Sequence, residues 1–150
     1  MSDIRERVHA CAALVSAPAG RCLDLLADPG TLGRWALGAW GTVPVADDVW
    51  RGRSLFDGGE AFVKVVRRDE LGLVDYLVGG AADALAHRIS ARVHDGAGLG
   101  HDAGTSLVVL TAWRPAAMDD DRWHRLKVTH EAEILLLKGL MEGAAPAPLS

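Results

Sequence analysis

The stretch Asp119–Glu142, DDDRWHRLKVTHEAEILLLKGLME, has the pattern of one long helix, and the rest of the chain is arranged around it. Asp119, Asp120 and Asp121 place negative charge at its start, where exposed N–H groups and the helix dipole favour it. Gly143 takes the usual stop position and Pro146 follows. At about 100° per residue, Trp123, Leu126, Ile134, Leu137 and Met141 fall on one narrow stripe, while Arg125, Lys127, Glu131 and Lys138 fall off it. His130 lies inside the stripe, between Leu126 and Ile134. An imidazole on an apolar face needs a partner, a water or a ligand, because burying it bare is costly.

The chain has 150 residues, enough for one domain with a real core, expected over 1–143, with Ala144–Ser150 as a disordered tail. Its net charge of −4 argues against a nucleic-acid surface. Cys11 and Cys22 are too few for a disulfide framework and lack metal-ligand spacing. The first nine residues, MSDIRERVH, are too charged for a signal peptide. The apolar run Ile134–Leu137 stops at Lys138, far short of the about 20 residues that a membrane span needs. A cytoplasmic, soluble protein is the expectation.

Working outward from the helix, Val8–Val15 reads as a first strand, and Pro18 suits the first turn of a helix over residues 18–27. Asp28-Pro29-Gly30 signals a turn, with a second short helix over Thr31–Leu37. From Trp40 to Pro115, β-rich runs alternate with turn residues, as in an antiparallel meander. The strands fall at Trp40–Val45, Val49–Phe56, Ala61–Arg67, Leu71–Val78, His87–His94 and Ser106–Trp113. This order predicts an α+β fold: a curved seven-stranded antiparallel sheet wrapped around the long C-terminal helix, with two short helices after the first strand. A space between such layers is where a small ligand binds.

Several local motifs resemble the helix-grip superfamily, also called SRPBCC, which includes START lipid-transfer domains, birch-pollen-allergen proteins and bacterial polyketide cyclases. They are Ala17-Pro18, Leu26-Ala27-Asp28-Pro29 followed by Arg34-Trp35, Leu73-Val74-Asp75-Tyr76, Gly104-Thr105-Ser106 and Leu137-Lys138. The likeness spans residues 8 to 142 and is nearest to small bacterial polyketide-cyclase-like members. These often carry Asp-His where this chain has Asp75-Tyr76, a departure that bears on any histidine carried over to that strand. The resemblance implies a cavity for a small hydrophobic or aromatic molecule and a cofactor-free cyclase or dehydratase reaction. The alternative it implies is a non-catalytic carrier or sensor of a lipid-like or aromatic ligand.

His130 is the first candidate for acid–base chemistry, since its ring titrates near neutrality. A core histidine bonded to a backbone carbonyl is the plain alternative. Asp75 alternates with Leu71, Leu73 and Leu77, and Tyr76 with Val74 and Val78, so parity leaves open which one points inward. An inward Asp75 needs His130, His87 or Arg88 as partner, and an inward Tyr76 can donate to a carbonyl. His87 shares parity with Ile89, Ala91 and Val93 and is expected to face in, near a strand end.

Five tryptophans against one tyrosine and two phenylalanines supply large apolar surfaces with one donor each. Trp35, which lies where the resemblance places a cavity-mouth helix, and Trp113 are the ligand candidates among them, together with His87, Leu126, Ile134 and Leu137. His130 and Glu133 stand three apart on the helix, but no third ligand is near in sequence, so neither a metal nor another cofactor is expected. No phosphate-binding glycine motif and no serine-nucleophile elbow occur. The expected partner is a small hydrophobic or aromatic ligand, with no nucleic acid and no membrane span; a homodimer stays open.

Overall fold

The computed structural model describes residues 6–143 of the chain. The tail at 144–150, expected to be disordered, lies outside the described residues. The elements run β1 (Val8–Val15), α1 (Ala19–Ala27), α2 (Pro29–Leu32), β2 (Trp40–Ala46), β3 (Val49–Arg53), β4 (Glu60–Arg68), β5 (Leu73–Gly79), β6 (Ala86–Asp95), β7 (Ser106–Trp113) and α3 (Asp120–Met141). The seven strands form one antiparallel sheet in the order β1-β7-β6-β5-β4-β3-β2, and α3 packs chiefly on β1. This is the α+β arrangement that the order of sequence patterns predicts.

α3 starts where its charges place it. The Asp119 carboxylate accepts the Arg122 N–H at 2.8 Å, satisfying one of the donors a helix start leaves open. Asp120 and Asp121 occupy the first turn and Lys138 the last. Gly143 follows with φ +74°, a conformation that glycine adopts without a Cβ clash.

Three elements have boundaries that differ from the sequence reading by two residues or more. Asp28-Pro29-Gly30 opens a single helical turn, α2, and not a bare turn: Asp28 caps it by accepting from Gly30 N–H and Thr31 Oγ1, each at 2.9 Å, and Pro29 fits the first helical position. β3 ends at Arg53, because Ser54 N–H donates to the Gly59 carbonyl and the Ser54 carbonyl accepts from Gly58 N–H, a tight loop that takes Leu55 and Phe56 out of the sheet. β5 starts at Leu73, after a short 3-10 turn closed by Gly72 at φ +61°.

The inner face of the sheet carries Val15 from β1, Val63 from β4, Val74 and Tyr76 from β5, Ala91 and Val93 from β6, and Val108 and Leu110 from β7. These pack against Cys22, Leu23 and Leu26 of α1 and Ile134, Leu137 and Met141 of α3. The helix stripe is therefore the wall that closes the core. Leu137 has no exposed surface. Leu137→Ala is expected to cost about 2–5 kcal/mol of unfolding free energy by chemical denaturation. A loss under about 0.5 kcal/mol, the range of surface positions, would place that side chain outside the core.

Candidate functional site

The stripe of α3 buries two ionisable side chains one turn apart. His130 is 4% exposed, and its Nδ1 has no hydrogen-bond partner among the described residues. Burial, helped by nearby His9, brings the imidazole down from 6.5 to about 4, so the ring is neutral at physiological pH. The Cys11 thiol of β1 reaches the His130 carbonyl oxygen at 3.4 Å, which sets this turn of the helix against the first strand. His9 Nε2 lies 3.3 Å from Glu131 Oε1, close enough for an ion pair but not aligned for a hydrogen bond.

Glu133 is 5% exposed and makes no ion pair among the described residues. Its Oε1 accepts the Leu37 N–H at 3.2 Å. Burial pushes the carboxyl from 4.5 up to about 8, and the Leu37 bond offsets only part of that. The acid therefore carries its proton at neutral pH.

Two aromatic side chains complete this interior. Tyr76 points inward from β5 and donates its hydroxyl to the Leu26 carbonyl at 2.7 Å. Burial first, and Glu133 second, raise its phenol well above 10. Trp35, in the segment between α2 and β2, sets its ring edge-on to Tyr76 with centroids 5.9 Å apart. Its Nε1 is buried without a hydrogen-bond partner among the described residues. An orphaned buried donor is uncommon, because each forfeits the hydrogen bonds it made in water. The interior thus holds a neutral imidazole, a protonated acid and an indole N–H, together with a phenol already spent on the backbone.

The other predicted residues lie elsewhere. Asp75 faces outward, opposite Ser90 in the β5–β6 register. Burial pushes its carboxyl up, but hydrogen bonds from Ser90 and from Arg68 Nε at 3.0 Å outweigh that and hold it below its usual value. His87 was expected to face in by alternation. Instead the β5–β6 ladder slips between Tyr76 and Leu77, pairing Tyr76 with Ile89 but Leu77 with His87. One extra residue on β6 reverses the parity of everything before it. The His87 side chain is consequently 47% exposed, with Nε2 3.0 Å from Asp75 Oδ1 and 2.9 Å from Ser90 Oγ.

Trp113 stands 4.9 Å from the His87 ring on the same outer face and is 38% exposed. Asp75, His87 and Trp113 therefore form an outer cluster and share no site with His130. Of the remaining candidates, Ile134 and Leu137 are core and Leu126 is half-buried. A surface cleft of about 410 Å³ beside β2 and β3, lined by Trp40, Val43, Arg51, Arg53 and Leu55 among others, includes none of the predicted residues.

Glu133 escaped the sequence reading except as a metal ligand. Its signal was its spacing: 126, 130, 133 and 137 form the repeating three-then-four pattern of a helix seam. The two buried groups respond to pH with opposite signs. The lowered histidine contributes stability that is lost as pH falls from 6.5 toward 4. The raised carboxyl contributes stability that is lost as pH rises from 4.5 toward 8. Between 4.5 and 6.5 they largely cancel, and above 6.5 only the glutamate acts. Unfolding free energy is expected to drop by about 2 kcal/mol from pH 6.5 to 8, and Glu133→Gln is expected to flatten that limb in denaturation measured across pH.

No protein-family model matches the chain, and no curated protein sequence is detectably similar to it. Solved structures are similar in fold. The Zhui aromatase/cyclase from a Streptomyces species superposes with a TM-score of 0.69 at 18% identity, over 94% of this chain and 96% of that one. The di-domain ARO/CYC BexL gives 0.69 at 16% identity, over 94% of this chain and 48% of that one. The Aha1 dimer from Colwellia psychrerythraea gives 0.63 at 16%, over 90% of this chain and 96% of that one. Among the described residues, no helix is long and apolar enough to cross a membrane. The chain has the helix-grip fold, the curved sheet and long C-terminal helix shared with these aromatase/cyclases.

Proposed function

We propose that the chain binds a small hydrophobic or aromatic molecule between the inner face of the sheet and α3. The observation that carries this reading is two buried nitrogens with no hydrogen-bond partner among the described residues, Trp35 Nε1 from the segment between α2 and β2 and His130 Nδ1 from α3. A guest with polar edges would satisfy both and cover the aromatic edge of Trp35. The fold is that of aromatase/cyclases, which supports a ligand-holding interior.

A catalytic reading is favoured by a further observation. His130 and Glu133 sit one turn apart with their proton affinities moved in opposite directions, which leaves a neutral base beside a protonated acid. With a bound ketone, His130 would remove a proton from the carbon next to the carbonyl while Glu133 donates its proton to the oxygen, giving an enol. Asp75 has no part in this, and Tyr76 acts as packing and support for α1 through Leu26.

Native mass spectrometry of freshly purified protein is expected to show a bound small organic molecule that Trp35→Phe and His130→Ala weaken or lose. Protein that carries no such guest, and takes up no aromatic ketone when offered one, would defeat the binding reading. For catalysis, solvent deuterium should enter the methyl group of added 2-acetylnaphthalene faster than in buffer. His130→Ala should abolish the excess rate. Incorporation at the buffer rate would leave binding as the whole function.

A further inference from the structure

We infer that Glu133 determines what the interior accepts: an uncharged ligand bearing a carbonyl-type acceptor oxygen, with carboxylate-bearing analogues turned away. This rests on the binding reading above and adds a rule of selection to it.

The geometry around Glu133 is that of an acid without a counter-ion. It is enclosed, and no second hydrogen bond is made to it among the described residues besides that from Leu37. The Leu37 backbone is held at its other end too, because the Leu37 carbonyl accepts the Leu55 N–H at 2.9 Å. The segment between α2 and β2 is thus clipped on both sides, to α3 and to the loop after β3. One carboxyl oxygen is fixed as an acceptor, and the other is left to carry a proton.

The titratable groups near Glu133 are Tyr76 from β5, Cys11 from β1 and His130 on α3 itself. None is a cation at neutral pH. The Tyr76 hydroxyl is committed to Leu26, the Cys11 thiol is pushed up to about 11 by burial, and the His130 ring is neutral. An entering anion would meet no cation among these three groups and would have to share low-dielectric space with an acid able to ionise. A ketone oxygen would instead receive the Glu133 proton or the Trp35 N–H. Rejection by an unpaired buried group discriminates more sharply than the fit of an apolar wall. The raised proton affinity of Glu133 supports the same assignment, since at about 8 it keeps the acid in its donating form at neutral pH.

The test uses three probes of one shape: 2-acetylnaphthalene, 2-ethylnaphthalene and 2-naphthoate. Binding is followed by the indole N–H resonance of Trp35 in an NMR titration, with Trp35→Phe to assign the signal. At about pH 6.5, the ketone is expected to bind at least about tenfold more tightly than either analogue. Raising the pH to about 9 should weaken the ketone about tenfold in the wild type, as the acid ionises. In Glu133→Gln, which keeps a donor but cannot ionise, ketone binding should persist and lose that pH dependence. The ranking and its pH dependence in the wild type can be read even if the variant fails to fold. Equal binding of all three probes would leave the interior site standing and overturn the selection rule. So would a ketone pH dependence that survives in Glu133→Gln. No binding by any probe would overturn the rule together with the reading beneath it.

Discussion

The structure depends on α3 burying an imidazole and a carboxylic acid without charge. A helix seam built only from Leu, Ile, Trp and Met would close this sheet with less difficulty, since uncharged polar groups in a core must recover the hydrogen bonds they lose. Glu133 recovers one from the Leu37 N–H, and His130 Nδ1 recovers none among the described residues. Both groups respond by giving up their charge, the glutamate by keeping its proton and the histidine by refusing one. The seam is consequently polar in composition and neutral in effect. That combination suits the proposed role of the interior, apolar enough for an aromatic guest and polar enough to orient it.

The sheet separates two polar clusters. Its inner face presents Tyr76 to Trp35 and α3, while the outer face gathers Asp75, Ser90, Arg68 and His87 into a bonded group beside Trp113. The partition follows from strand parity. Tyr76 and Asp75 are neighbours in sequence and therefore cannot share a face. The slip in the β5–β6 ladder then delivers His87 to Asp75 and keeps it away from the interior. Two residues that an Asp–His mechanism would recruit are thereby tied up in supporting the sheet from outside.

Much of the architecture was legible because it rests on local pattern. β1 and β7 fall where β-rich composition bounded by turn residues places them, and α3 follows from its acidic start, its stripe and Gly143. The less legible features arise from pairing between strands. Nothing in Ala86–Ser90 announces that one residue will bulge, and alternation alone turns His87 the wrong way. The open choice between Asp75 and Tyr76 had the same origin, since both sets of alternating neighbours on that strand are apolar. Only contact with α1 and α3 assigns Tyr76 inward. Glu133 was hidden by its own chemistry, because a carboxylate at a seam position is ordinarily discounted as a surface charge.

β2 forms one edge of the sheet, and its make-up has a consequence for crowded solution. Val43 and Val45 leave this edge greasy enough to attract a stray strand. Pro44, in its middle, offers no amide hydrogen, and the ladder to β3 shifts register both before and after it. A would-be partner meets a rail with a missing rung and uneven spacing. The sheet can therefore stop at β2 without serving as a template for runaway stacking, and the margin stays solitary by shape where charge is lacking.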